Sequence, residues 1–213
     1  MAGVLLQRLI IENTPAKRDQ DHVQVVCFTN PKIPDRTQSL AQDGGASYVS
    51  SVIESLSILE KAGCDSALIP CNTAHTRMEE ITASTPLNVL DMVLLTVEEL
   101  TALNIKKVGL LATDGTIESA LYRKNAAFEW VLPDDENQRV VMEVIYAIKA
   151  GDMLGAEERI DFLLAYLFGE GVQAVVLGCT ELSLFFEKFH QKYRIIDPLR
   201  ILARESVRVA LQR

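Results

Sequence analysis

Two stretches decide the fold: Gly63-Cys-Asp-Ser-Ala-Leu-Ile-Pro-Cys71 and Gly171-Val-Gln-Ala-Val-Val-Leu-Gly-Cys179. Each starts at a glycine that ends a helix-like segment, continues as an apolar strand, and delivers a cysteine eight residues after the glycine. Polar residues that can cap a new helix come next, Asn72-Thr73 in the first stretch and Thr180-Glu181 in the second. The repetition predicts a duplicated fold with one thiol at a strand end in each half.

Strand-like and helix-like segments alternate along the chain, which is typical of an α/β fold with parallel strands. The predicted strands are nearly continuous apolar runs, as in strands covered on both faces: residues 23–28, 67–69, 108–111, 130–132, 174–177 and 194–196. The predicted helices are residues 3–12, 48–61, 73–83, 94–103, 117–128, 136–149, 156–168 and 199–211. Residues 30–46, rich in proline and glycine, are expected to form a long functional loop or a lid.

The two halves of the repeat differ in one element. The second half contains strand 108–111 and the turn Asp114-Gly115-Thr116, and the first half contains no counterpart after Met1. The repeat therefore predicts a further strand and a glycine-rich turn ahead of Met1.

Composition and charge exclude several classes of function. The net charge of −8 offers no basic surface for nucleic acid, and no apolar run is long enough to span a membrane. The four cysteines, without features of a secreted chain, are expected to be free thiols in the cytoplasm. No ligand spacing indicates a metal site.

The repeated cysteines are the strongest candidates for chemistry. Ligands bind outside the carboxyl ends of strands in open α/β sheets, and a helix start lowers the pKa of a thiol. Alternatively, each of Cys71 and Cys179 is a small core residue, since free cysteine is often buried. Two equivalent positions favour function, because packing alone does not require cysteine twice. His75 is expected either to assist Cys71 or a bound carboxylate, or to lie at the surface.

Other candidates are weaker alone. Arg36 lies on a turn and could bind a carboxylate with two parallel hydrogen bonds, or could form an ordinary surface ion pair. Lys149 could bind an anion or could only complement the dipole at the end of its helix. Thr113, Gly115 and Thr116 suggest a small anion cradle at a helix start.

Together these pieces resemble the aspartate/glutamate racemase family, in particular its aspartate racemase branch. The matching motifs span nearly the whole chain: Thr14–His22, Asn30–Thr37, Pro70–His75, Leu110–Ile117, Ile148–Gly151, Gly178–Glu181 and Ile196–Pro198. Glutamate racemases of cell-wall synthesis carry Gly-Cys-Thr-His where this chain has Glu181. Family members begin with a strand and a Gly-Gly-Met-Gly type of loop, which this sequence does not contain.

The resemblance implies two pseudo-symmetric domains, each a mainly parallel sheet flanked by helices, with the active site in the cleft between them. We place the first at residues 1–94 plus 197–213 and the second at 95–196. It implies a racemase without a cofactor, with Cys71 and Cys179 as the acid–base pair. Arg36 and Lys149 would hold the side-chain carboxylate. Helix amides and four side chains would hold the α-carboxylate and the carbanion-like state: Asn72, Thr73, Thr116 and Thr180.

The expected reaction is the interconversion of L- and D-aspartate by a homodimer. Two alternatives stay open at this point. One is racemisation of glutamate or isomerisation of another dicarboxylate by the same site. The other is a dicarboxylate-binding protein without activity, since the first half lacks an element that the second half contains.

Overall fold

A computed structural model describes residues 1–212 of the chain. Its strands are β1 (Ser66–Leu68), β2 (Asn88–Leu90), β3 (Lys107–Ala112), β4 (Glu129–Val131), β5 (Ala174–Gly178) and β6 (Ile195–Ile196). Its helices are α1 (Ala2–Asn13), α2 (Arg36–Asp43), α3 (Ala46–Lys61), α4 (Met78–Ala83), α5 (Met92–Ala102), α6 (Asp114–Glu118), α7 (Asp135–Lys149), α8 (Ala156–Gly169), α9 (Phe186–Phe189) and α10 (Pro198–Leu211). The predicted α/β class with parallel strands is confirmed.

The second half is built around a parallel sheet with strand order β4-β3-β5-β6. Helices α7 and α8 pack on one face of this sheet, and α5 and α10 on the other. Strand β5 is buried along its whole length, which explains its apolar sequence. A side chain at Gly178 would lie 2.7 Å from Leu110 Cδ1 and 2.9 Å from Ala112 Cβ of the neighbouring β3. The glycine before Cys179 therefore allows the two strands to approach.

The first half contains a shorter sheet, in which β1 pairs with β2 in parallel. The predicted strand at residues 23–28 is wrong: this segment belongs to no strand, and Val25, Val26 and Phe28 are exposed. The physical reason is the absence of a neighbour. In the second sheet β3 lies between β4 and β5, and residues 1–212 include no equivalent strand between the segment 23–28 and β1. The segment 23–28 and strand β1 line one open cavity instead.

Two further predictions are corrected, and one strand lacks a prediction. The helix expected at 117–128 is only α6, because Ala120 has a φ of +53°, a left-handed conformation that cannot continue a right-handed helix. The stretch 30–46 is not one loop, since α2 lies within it; Asp35 starts this helix by accepting hydrogen bonds from the Thr37 and Gln38 amides. Strand β2 was not predicted, because its three residues are too short for a pattern.

The carboxyl-terminal helix returns to the first half. Residues of α10 share an apolar cluster with α1 and with Leu90 and Met92. The domain limits proposed from the resemblance stay a prediction, and position 213 lies outside the described residues. Within residues 1–212, no helix combines the length and the apolar character needed to cross a bilayer.

Candidate active site

Both repeated cysteines line the same cavity, of about 900 Å³. Cys71 lies just beyond the carboxyl end of β1, and Cys179 directly follows β5. Parallel strands thus deliver one thiol from each half of the molecule to a shared space. Five of the other predicted site residues line it as well: Arg36, Asn72, Thr73, Lys149 and Thr180. Thr116 is not part of this lining.

Cys71 lies beside a cation. Arg36 is in the first turn of α2, and its Nη1 donates to the Pro34 carbonyl at 3.1 Å, which fixes the direction of the guanidinium group. The negative charge of Cys71 is the largest contribution that raises the pKa of Arg36; burial opposes it, and a hydrogen bond to Cys71 adds to it. The first half therefore places its thiol against a permanent positive charge.

His75 fixes the turn that carries Cys71. It is buried, which excludes the surface alternative, and its Nδ1 lies 2.9 Å from the carbonyl oxygen of Cys71. Its Nε2 accepts a hydrogen bond from the Met92 amide at 3.2 Å, so the ring proton is on Nδ1. Burial lowers the pKa of His75, against the opposing charge of Asp91. A neutral imidazole thus ties the Cys71 turn to the start of α5.

Cys179 lies beside an anion. Its Sγ donates a hydrogen bond to Glu181 Oε2 at 3.0 Å, and the cysteine is only 7% exposed. Burial, followed by the charge of Glu181 and this hydrogen bond, raises the pKa of the Cys179 thiol well above its usual range. The second half therefore holds its cysteine as a protonated thiol.

Hydroxyl groups join the two halves next to the cysteines. Thr73 Oγ1 lies 2.9 Å from Thr116 Oγ1 and 3.0 Å from Thr113 Oγ1, and all three residues are buried. Thr116 thus supports Thr73 from behind instead of lining the cavity. Thr180 Oγ1 donates to the Pro70 carbonyl at 3.3 Å, so it links the turn of one cysteine to the turn of the other.

Asn72 has one polar atom free for a ligand. Its Oδ1 accepts a hydrogen bond from the buried Tyr122 hydroxyl. Its Nδ2 has no hydrogen-bond partner within residues 1–212. A buried amide donor without a partner is costly, and a carboxylate oxygen in the cavity would satisfy it.

Lys149 reaches the cavity from the end of α7. Its Nζ lies 3.0 Å from Asp35 Oδ2 and 4.6 Å from the centre of the Tyr146 ring. Burial acts against both charges of the pair, but the ion pair outweighs it: the pKa of Lys149 is raised and that of Asp35 is lowered. Lys149 is therefore a charged, preoriented cation.

Sequence reasoning missed three residues of this site. Asp35 is adjacent to Arg36 in the sequence, and its role as a helix start gave a detectable signal. Glu181 follows Cys179 by two residues, a spacing that brings its carboxylate back to the sulfur. Tyr122 had no signal, because its position depends on the turn that ends α6.

Comparisons with known proteins identify a family and a fold for the chain. The family model for Asp/Glu/Hydantoin racemase matches residues 1–206. An aspartate racemase of Picrophilus torridus has a similar structure, with a TM-score of 0.87 and 31% identity, over 98% of this chain and 89% of that one. The predicted two-domain racemase fold is thereby confirmed.

Curated relatives give the same family with different substrates. A broad-specificity amino-acid racemase of Bacillus subtilis is 30% identical over 74% of this chain and 70% of its own length. A glutamate racemase of Carboxydothermus hydrogenoformans is 34% identical over 48% of this chain and 40% of its own length. The chain spans 40% to 70% of the length of the curated relatives compared. The resemblance of the motifs and the match over 206 residues lead to one conclusion: the chain belongs to the Asp/Glu/Hydantoin racemase family of isomerases.

Proposed function

We propose that this protein interconverts L- and D-aspartate through Cys71 and Cys179, without a cofactor. One observation carries the proposal: two cysteines at equivalent strand ends line one cavity together with the cations Arg36 and Lys149. The cysteines supply a base and an acid from two separate elements, and the cations suit a dicarboxylate substrate.

Inversion at the α-carbon needs a proton removed from one face and a proton delivered to the other. A thiolate on one side takes the α-proton, so that an S–H bond forms while the C–H electron pair passes into the substrate carboxylate. The thiol on the other side gives its proton to the α-carbon and becomes the thiolate. The two residues exchange roles when the other enantiomer reacts.

The remaining side chains hold charge. We assign the side-chain carboxylate of aspartate to Arg36 and Lys149. The α-carboxylate, which gains charge in the transition state, is assigned to the Asn72 amide and to the hydroxyls of Thr73 and Thr180. Thr116 would act through Thr73, because the two hydroxyls are 2.9 Å apart.

Two alternatives to an aspartate racemase stay open: a racemase for other amino acids and an inactive binding protein. The Bacillus subtilis relative is named a broad-specificity racemase, which favours a wider range than aspartate, including glutamate. The open cavity in the first half favours an inactive protein that only binds dicarboxylates. The homodimer and the cytoplasmic location stay predictions.

A racemisation assay with a panel of L- and D-amino acids, read by chiral chromatography, tests the proposal. Aspartate is expected to react fastest, and Cys71→Ala and Cys179→Ala are each expected to reduce kcat/KM by about 10³-fold or more, because each removes one proton-transfer group. Cys27→Ala, which changes an exposed cysteine, is the matched control. Racemisation retained in both single variants contradicts the proposal, and calorimetric binding of aspartate without turnover would favour the inactive alternative.

A further inference from the structure

The two catalytic cysteines lie in opposite electrostatic surroundings. Cys71 interacts with the Arg36 guanidinium group and raises the pKa of that arginine. Cys179 donates its S–H to Glu181 at 3.0 Å. A cation stabilises a neighbouring thiolate, and a carboxylate that accepts the S–H bond stabilises the protonated thiol. A duplicated site is thus made unequal by one residue in each half.

We propose that Glu181 holds the proton on Cys179, so that this cysteine rests as the thiol and is the acid of the resting pair. The inference rests on the proposed function, and it assigns to Glu181 a role that the motif alone does not. Glu181 touches the reacting sulfur and is therefore a catalytic residue that sets which enzyme form is populated.

The nearby cations do not cancel the effect of the Glu181 carboxylate on Cys179. Lys149 contributes a favourable charge toward both Cys179 and Glu181, but its hydrogen bond is to Asp35 at 3.0 Å. Arg36 also feels the charge of Glu181, though less than the charge of Cys71. The Thr180 hydroxyl, which donates to the Pro70 carbonyl at 3.3 Å, lies 3.5 Å from the same Glu181 oxygen that accepts the S–H.

This asymmetry has a kinetic consequence. Enantiomers have equal free energies, so kcat/KM must be the same for both directions of racemisation. The enantiomer that needs Cys179 as its base reacts only with the minor enzyme form, in which Cys179 has released its proton. Because this form is scarce, the apparent KM for this enantiomer is raised. Since kcat/KM is the same in both directions, the kcat for this enantiomer is raised by the same factor.

Thiol labelling tests the inference without relying on turnover. In a Cys27→Ser/Cys64→Ser background, iodoacetamide labelling is followed by peptide mass spectrometry for the two remaining cysteines. Cys179 is expected to react at least about tenfold more slowly than Cys71, because Glu181 keeps the Cys179 sulfur protonated and only a thiolate is an effective nucleophile. Glu181→Gln is expected to increase the labelling rate of Cys179 by about tenfold, because a like charge is removed.

Two further variants complete the design. Glu181→Asp keeps a carboxylate and is expected to restore part of the slow labelling of Cys179, and Glu170→Gln, at an exposed carboxylate, is the matched control. Circular dichroism checks that each variant is folded. Cys179 labelling that is equal in Glu181→Gln, Glu170→Gln and the unchanged protein overturns the inference, as does faster labelling of Cys179 than of Cys71 in the unchanged protein.

Steady-state kinetics provide a second readout. The ratio of the KM values for the two enantiomers is expected to move several-fold toward unity in Glu181→Gln and to stay unchanged in Glu170→Gln; a loss of structure alone would not change this ratio. Absence of racemisation in the unchanged protein would remove the proposed function and leave the labelling result to decide on Glu181. Racemisation with equal labelling of the two thiols would remove only the inference.

Discussion

The two halves of the molecule reach the same geometry with different chemistry. Each half places a cysteine at the carboxyl end of a parallel strand, and both cysteines line one cavity. Cys71 lies beside Arg36, whereas Cys179 donates to Glu181. Duplication thus fixes where the thiols are, while single side chains set the charge of the group beside each thiol.

The fourth residue after each cysteine shows the same contrast. His75 connects the Cys71 turn to the Met92 amide at the start of α5. At the equivalent position Ser183 donates to Asp197 at 2.8 Å, and Asp197 starts α10 by accepting from the Leu199 amide. His75 joins the Cys71 turn to the start of α5, and Ser183 joins the Cys179 turn to the start of α10. The first link uses a neutral imidazole, and the second uses a hydroxyl that donates to a buried carboxyl group.

The largest effect is expected at Arg36. Arg36→Met removes the cation beside Cys71 and one of the two cations assigned to the side-chain carboxylate, while keeping an elongated side chain. We expect kcat/KM for aspartate to fall by about 10³-fold, as when a preorganised charge is removed from an active site. Chiral chromatography of the product measures the effect.

Arg159→Met is the control for this prediction, because Arg159 is an exposed arginine paired with Glu143. Its activity should match that of the unchanged protein. An Arg36→Met variant with nearly full activity would break the contrast between the two halves, since Cys71 would then need no cation.

The next effect concerns the buried carboxyl group of Asp197, at the start of α10. Burial raises the pKa of Asp197 to about 6, above its ordinary value of 3.8. The native state therefore binds the proton more tightly than the unfolded state, and this contribution to stability is present below pH 4 and is lost as the pH rises to about 6. Relative to the unchanged protein, Asp197→Asn should gain on the order of 2 kcal/mol between pH 4 and pH 7.

Urea unfolding of both proteins at several pH values measures this difference. Asparagine can still start α10 and accept from Ser183, so the helix should persist. The exposed Asp19→Asn serves as the control and should show no such change with pH. A pH-independent difference between Asp197→Asn and the unchanged protein would contradict the assignment of a raised pKa.

The smallest effect is expected at His75, and it has the opposite sign. Burial lowers the pKa of His75 from 6.5, so the unfolded state binds the proton more readily than the native state. Stability from this residue is full above pH 6.5 and is lost as the pH falls below that value. In His75→Asn this loss should disappear, which urea unfolding at pH 5 and pH 7.5 would reveal. His22→Asn, at an exposed histidine, should retain it.

The sequence was sufficient for the elements that have a periodic or repeated signal. Helix α3 and strand β5 have long apolar patterns, and both were predicted within two residues of their observed bounds. The two cysteines were found through the repeat. Arg36 lines the cavity, although the sequence predicts loop where α2 carries it, because the motif and not the helix pattern gave the signal.

The remaining features depend on contacts between distant residues. Segment 23–28 has a strand-like sequence, but a strand also needs a hydrogen-bonded neighbour, which a local pattern does not reveal. The end of α6 depends on the left-handed Ala120, a residue type with no turn preference. The partner of Lys149, Asp35, is 114 residues away in the sequence, so no local reading could have paired them.

The central claim is that two cysteines act on opposite faces of one substrate. Racemisation of each aspartate enantiomer in D₂O, stopped at low conversion, tests it most directly. The base keeps the proton that it removes, and the opposite thiol, whose hydrogen has exchanged with the solvent, delivers deuterium only to the inverted product. We predict deuterium at the α-carbon of the product, with almost none in the recovered substrate, from either enantiomer. Equal deuterium in the product and in the recovered substrate would indicate a single base serving both faces and would contradict the account.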